Sequence, residues 1–113
     1  MEIELKVDRR LEQALRSEDK AKRVLDAVRL NTAEMQRASA RNVPVVTGNL
    51  KRSQQIEIDE QQYKGTVRFT ADYAEEVEFG TRMISPRRYL GRAYEAQVGT
   101  FVEDVKKAIR TKE

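Results

Sequence analysis

The stretch Ile56-Glu57-Ile58-Asp59-Glu60-Gln61-Gln62-Tyr63-Lys64-Gly65-Thr66-Val67-Arg68-Phe69-Thr70 decides the fold. Ile56 and Ile58 alternate with Glu57 and Asp59. Past a turn at Gln61 to Gly65, Val67 and Phe69 fall on one side and Thr66, Arg68 and Thr70 on the other. Period-2 alternation on both sides of a turn predicts an antiparallel hairpin with one buried face. A hairpin alone is marginal in water and needs a third strand or a helix against its apolar face. The N-terminus offers the strand: Ile3, Leu5 and Val7 alternate with Glu2, Glu4 and Lys6, a half-buried pattern expected at a sheet edge.

The helices lie on either side of this unit. Leu11 and Leu15 sit four apart, and Ser17 followed by Glu18 and Asp19 has the form of an N-cap with acids in the first turn. A short helix is therefore expected before a long one. Val24, Leu25, Val28 and Met35 continue one stripe, and Ser17 to Arg41 would run about 37 Å as a helix. That exceeds what a compact domain of this size needs and suits packing against neighbouring subunits. The helix should stop before Val43-Pro44, because proline disfavours helical geometry in the preceding residue, and Thr47-Gly48-Asn49 reads as a turn. Ala71 to Thr81 is a short helical turn or a lead into a strand, closing at Gly80. Ser85-Pro86 has the cap-then-proline form of a helix start. The helix it opens carries Leu90, Tyr94, Val98, Phe101, Val102, Val105 and Ile109 on one face, with Gly91 and Gly99 expected where another backbone comes close. The fold class is α+β: a long N-terminal helix, a small mainly antiparallel sheet with a hairpin, and a C-terminal helix packed on the sheet.

Composition narrows function. The 113 residues, 39% apolar, support one modest core and so a single domain over 1–113. The chain has no Cys and no His, which excludes thiolate chemistry and removes the commonest general base and metal ligand. No stretch approaches the roughly 20 apolar residues of a bilayer span, and Met1 to Val7 lacks the apolar block of a signal peptide. A soluble protein made in a cytoplasm, without membrane partners, is expected. Charged residues are 36% of the chain, but 22 Lys and Arg stand against only 19 Asp and Glu. This small excess is weak support for a nucleic-acid binder, which concentrates its basic residues on one face.

Two oppositely charged segments stand out. Asp72, Glu75, Glu76 and Glu78 lie among Tyr73, Ala74, Val77 and Phe79; Arg82, Arg87, Arg88 and Arg92 follow within a segment that holds no acid. The carboxylates lack a His, a second acidic motif at ligand spacing and a phosphate loop, so a solvated face or an interface is the better reading than catalysis or metal binding. The arginines could grip phosphates, and with Lys106, Lys107, Arg110 and Lys112 they define the alternative, a small nucleic-acid-binding regulator. Their acidic complement a few residues upstream favours protein contact instead.

Three motifs occur in order: Pro44-x-x-Thr47-Gly48-Asn49-Leu50-x-x-Ser53, then Tyr73-Ala74-Glu75-Glu76-Val77-Glu78-Phe79-Gly80-Thr81, then Pro86-Arg87-Arg88-Tyr89-Leu90-Gly91-Arg92-Ala93. Set between a long helix, a hairpin and a C-terminal helix, over about residues 20 to 110, they resemble the tail-component family of head-to-tail joining and tail-completion proteins of tailed phages. Where many members end the third motif in a Pro-Phe-Leu type sequence, this chain has Arg88-Tyr89-Leu90. The resemblance implies a structural virion protein of a siphophage or prophage, without catalysis or cofactor. It implies a subunit of a homo-oligomeric ring of six, or of twelve by analogy with the portal, at the head-tail junction. Its partners would be other neck, connector or tail proteins, with genome DNA passing the lumen without specific binding. The interface expected on this basis comprises Thr47, Gly48, Asn49, Leu50, Ser53, Asp72, Tyr73, Glu75, Glu76, Glu78, Phe79, Gly80, Thr81, Arg82, Arg87, Arg88, Tyr89 and Arg92. The acidic and basic segments would pair between subunits, as a heterologous ring contact requires two different, complementary patches.

Overall fold

The computed structural model describes residues 1–43, 48–82 and 86–110. Its elements run β1 (Glu2–Lys6), α1 (Arg9–Ala14), α2 (Glu18–Asn42), α3 (Gly48–Arg52), β2 (Gln54–Asp59), β3 (Lys64–Phe69), α4 (Ala74–Phe79) and α5 (Tyr89–Arg110). The α+β class, with a long helix, a small antiparallel sheet and a C-terminal helix, is as the sequence indicates; α3 is an addition, starting where Gly48-Asn49 reads as part of a turn.

The sheet is antiparallel with strand order β1-β3-β2, which puts the N-terminal strand at an edge and the second strand of the hairpin in the middle. Register pairs Ile3 and Ile56 with Val67, so one face is apolar. The opposite face carries a ladder of charges in which Arg68 reaches Glu2 at 2.9 Å and Glu57 at 3.7 Å, and Lys64 reaches Glu4 at 3.7 Å. The Arg68 hydrogen bond and charge hold the Glu2 carboxyl below its usual range. The turn is tighter than the alternation suggests. It spans residues 60–63, because the Asp59 carboxylate accepts from the backbone N–H groups of Gln61 and Gln62 at 3.0 Å each and Tyr63 takes a positive φ of 51°.

Gly65 consequently lies inside β3, not in the turn, and the reason is packing. A methyl group there would overlap Thr32 on α2 at Oγ1, Cβ and Cγ2. Glycine thus lets the helix backbone settle onto the middle of the sheet.

Ser17 caps α2, its hydroxyl accepting from Lys20 N–H at 3.4 Å, and α2 ends at Asn42, where Val43 before the proline turns extended at φ −70° and ψ 131°. Helix α5 runs antiparallel to α2: Arg23 Nε donates to the Ala108 carbonyl at 3.2 Å at one end, and Asn42 Nδ2 to the Tyr89 carbonyl at 3.4 Å at the other. Between them a polar network crosses the interface. Asn31, fully buried, donates to Asp104 at 2.9 Å and accepts from Gln97 at 2.5 Å, while Gln97 also reaches Glu34 at 3.2 Å. The face of α5 that packs is therefore Leu90, Ala93, Gln97, Phe101, Val105 and Ala108, and Tyr94 and Val102 are exposed. The apolar stripe read from the sequence is rotated, because small and amide side chains make the close helix contact. Nor does a backbone approach Gly99, whose added methyl would meet open space. The molecule is elongated, 54 × 21 × 21 Å.

Candidate functional site: the α4 corner and the distal groove

The second and third motifs meet at one corner. Helix α4 is only six residues long, too short to hold itself in water, and it is pinned from three sides. Ala74 and Val77 enter the core. The chain returning from residue 86 lies against it, with Arg87 N–H donating to the Val77 carbonyl at 2.9 Å and Arg88 N–H to the Glu78 carbonyl at 3.0 Å. The Tyr89 hydroxyl, buried, donates to the Ala74 carbonyl at 2.9 Å, and its ring stands edge-on to Phe69 with centroids 4.9 Å apart. Burial, and then the Glu78 charge, push the Tyr89 hydroxyl above the usual tyrosine range.

Glu78 is the hinge pin of this corner. It is 2% exposed, and its carboxylate accepts from Leu90 N–H at 2.7 Å through Oε1 and from Gly91 N–H at 2.9 Å through Oε2. These are first-turn donors of α5 with no intrahelical partner, so Glu78 caps α5 from twelve residues upstream with charge-assisted bonds. That is why α5 starts at Tyr89 and not at Pro86: Arg88, at φ 48°, turns the backbone to aim the first N–H groups at the carboxylate. Ser85, the expected cap, lies outside the described residues. A side chain at Gly91 would meet the Arg88 guanidinium at 2.8 Å and Glu78 Oε2 at 3.1 Å, so here the glycine makes room for two side chains, not for a backbone.

The expected interface residues thus divide in two. Glu78, Tyr89 and Leu50 face inward and build the corner. Ser53 is half-buried, its hydroxyl donating to the Leu50 carbonyl at 2.7 Å and its carbonyl accepting from Thr70 N–H at 3.4 Å, which ties α3 to the chain entering α4. Gly48 and Asn49 open α3 as a helical turn; Asn49 is exposed and bonded to Arg52, and Thr47 lies outside the described residues. Gly80 ends α4 at φ 78°, its N–H donating to the Glu76 carbonyl at 2.7 Å. Outward face Asp72, Tyr73, Glu75, Glu76, Phe79, Thr81, Arg82, Arg87, Arg88 and Arg92. Phe79 is 63% exposed, the most exposed large hydrophobic among the described residues. Arg88 pairs with Glu95 at 2.9 Å. Asp72, Glu75, Glu76, Arg82, Arg87 and Arg92 make no side-chain ion pair or hydrogen bond among the described residues.

The acidic and basic segments therefore share one surface and do not form two separated patches. The hydrogen bonds of residues 87 and 88 to α4 fix that adjacency. Nor do the described basic residues form one stripe: Arg82 follows α4, Arg87, Arg88 and Arg92 lie about the start of α5 and Lys106, Lys107 and Arg110 at its end, and Lys106 is 3.7 Å from Glu103; Lys112 lies outside the described residues. Among the described residues no group of acids is placed to hold a metal ion, and no helix is long and apolar enough to cross a membrane.

The other end of α5 holds a feature absent from the sequence reading. Val7, Leu11, Phe101, Val102, Val105 and Ile109 line an open, mostly apolar groove of about 330 Å³ with Lys6, Asp8 and Lys106 at its rim. Its signal was the width of the apolar stripe: beside the buried Phe101 and Val105, Val102 is left 43% exposed and Ile109 partly so.

A family model described as "Bacteriophage HK97-gp10, putative tail-component" matches residues 3–80 of the 113. The match runs from β1 through α4, so it takes in the first motif and the second up to Gly80, and ends before the third. No curated protein and no solved structure matches the chain.

Proposed function

This chain belongs to the HK97-gp10-like family of bacteriophage tail components, and from that premise we propose that it is a non-catalytic structural subunit of an oligomeric ring at the head-tail junction. The observation that carries the proposal is the α4 corner. An exposed phenylalanine and two acids on a short helix, with a tyrosine, a third acid and three arginines beside it that make no ion pair among the described residues, are held over an underside fixed by two core residues, a bidentate carboxylate cap and a buried tyrosine. A rigid aromatic rimmed by unsatisfied charge is the composition of a contact surface, not of a solvated face. The elongated body, with α2 spanning about 37 Å, gives each subunit a long flank for neighbours. Six copies, matching a tail's rotational symmetry, is the expected number, with other neck or tail proteins above and below and DNA passing without specific contacts.

Deletion of the gene from its phage or prophage tests this. The expected result is filled heads beside unattached tails, restored by the wild-type chain in trans. Normal numbers of joined, infectious particles without the protein would refute the proposal.

A further inference from the structure

We propose that the ring contact is a knob in a groove: Phe79 of one copy seats in the apolar groove at the far end of α5 of the next. The inference rests on the ring reading above and supplies what that reading lacks. A heterologous contact needs two different surfaces on each copy, and the charged segments provide one, not two. The groove is the second. Helix α4 rests on the first turn of α5, at Leu90 and Gly91, and the groove lies on its last turns, so the two surfaces are about 20 Å apart along the helix. They cannot meet within one chain.

Chemistry matches them. Phe79 is 63% exposed and Val102, on the groove, 43%, and the groove is open, with a volume of about 330 Å³. Around Phe79 stand Glu75 and Glu76; at the groove rim stand Lys6 and Lys106. Asp8, also at the rim, would face the arginines that share the Phe79 surface. A central aromatic anchor with complementary rim charges gives affinity from the buried ring and register from the charges.

The chain has no cysteine, which makes the test direct. Glu76→Cys and Lys106→Cys are introduced into separate full-length chains, mixed and mildly oxidised. Disulfide-linked heterodimers should exceed those from Glu76→Cys mixed with Leu30→Cys, an exposed position elsewhere, by roughly tenfold or more, because docking raises the local thiol concentration. Phe79→Asp on the Glu76→Cys chain, or Val102→Glu on the Lys106→Cys chain, should each abolish the excess while circular dichroism stays unchanged. Equal cross-linking of both pairs, indifference to both substitutions, or a wild-type chain that stays monomeric at millimolar concentration would overturn the inference. A ring that forms without the Glu76–Lys106 cross-link sinks the knob and groove alone; joined tails without the gene sink the ring reading itself.

Discussion

Replacing Glu78 by alanine should detach the start of α5, and the structure sets the size of the effect. The carboxylate accepts two buried or half-buried N–H groups at 2.7 and 2.9 Å. An ordinary cap is worth about 1 kcal/mol and up to about 2, and a buried donor left without a partner costs about 1–3 kcal/mol. Leu90 is 0% exposed, so its N–H would have no route to water, whereas Gly91 is half-buried and could be solvated. The net loss should be about 3 kcal/mol, which for a domain of this size lowers the melting temperature by roughly 10–20 °C. Glu78→Gln should cost nearly as much, about 2 kcal/mol, because its amide presents one acceptor and one donor to two donors and removes the charge that favours a helix N-terminus. Urea titration measures both values. Amide exchange at Leu90 and Gly91 localises the effect, since protection there should fall before protection in β3. If Glu78→Ala stays within about 0.5 kcal/mol of wild type, the carboxylate does not hold α5 and the account of the corner fails.

Two glycines should respond in opposite directions. Gly65→Ala should destabilise by about 2–3 kcal/mol through overlap with Thr32, and less than additively when combined with Thr32→Ala; Gly99→Ala, facing open space in a helix, should stabilise by roughly 0.5–1 kcal/mol, both read from thermal melts. Tyr89 has its pKa raised by burial, so its contribution is complete below the ordinary tyrosine value of about 10 and is lost as pH rises beyond it. Tyr89→Phe should therefore cost about 1 kcal/mol at neutral pH, from the lost bond to the Ala74 carbonyl, yet show a shallower loss of stability between about pH 10 and 12 than wild type. An unchanged alkaline slope would show that the hydroxyl is not the group being buried.

What the sequence disclosed was what neighbours in sequence decide. The alternation of Ile3, Leu5 and Val7 gave an edge strand, Ser17 with Glu18 and Asp19 gave a helix start, and Pro44 gave its end, each through a rule acting over a few residues. Gly65 was misassigned to the turn because its reason lies on another element, at Thr32. Likewise Tyr94 and Val102 looked like core by hydropathy, while Ala93, Gln97 and Ala108 form it because α2 and α5 approach closely and share an amide network. The site followed the same division. The charges of this corner were legible as a cluster, but Glu78 among them was not separable from its exposed neighbours, since only the path of the chain brings Leu90 and Gly91 to it. The groove needed three elements, β1, α1 and α5, to be assembled before it existed.

The central claim is that copies of this chain close into a ring where the tail meets the head. Reconstruction of that junction by electron cryomicroscopy, from particles carrying the native protein, tests it most directly. The account predicts a closed ring in which each density unit holds the antiparallel α2–α5 pair over a three-stranded sheet, with the α4 corner of each copy against its neighbour. A junction without such a ring, or with this fold present only as isolated copies, would contradict it.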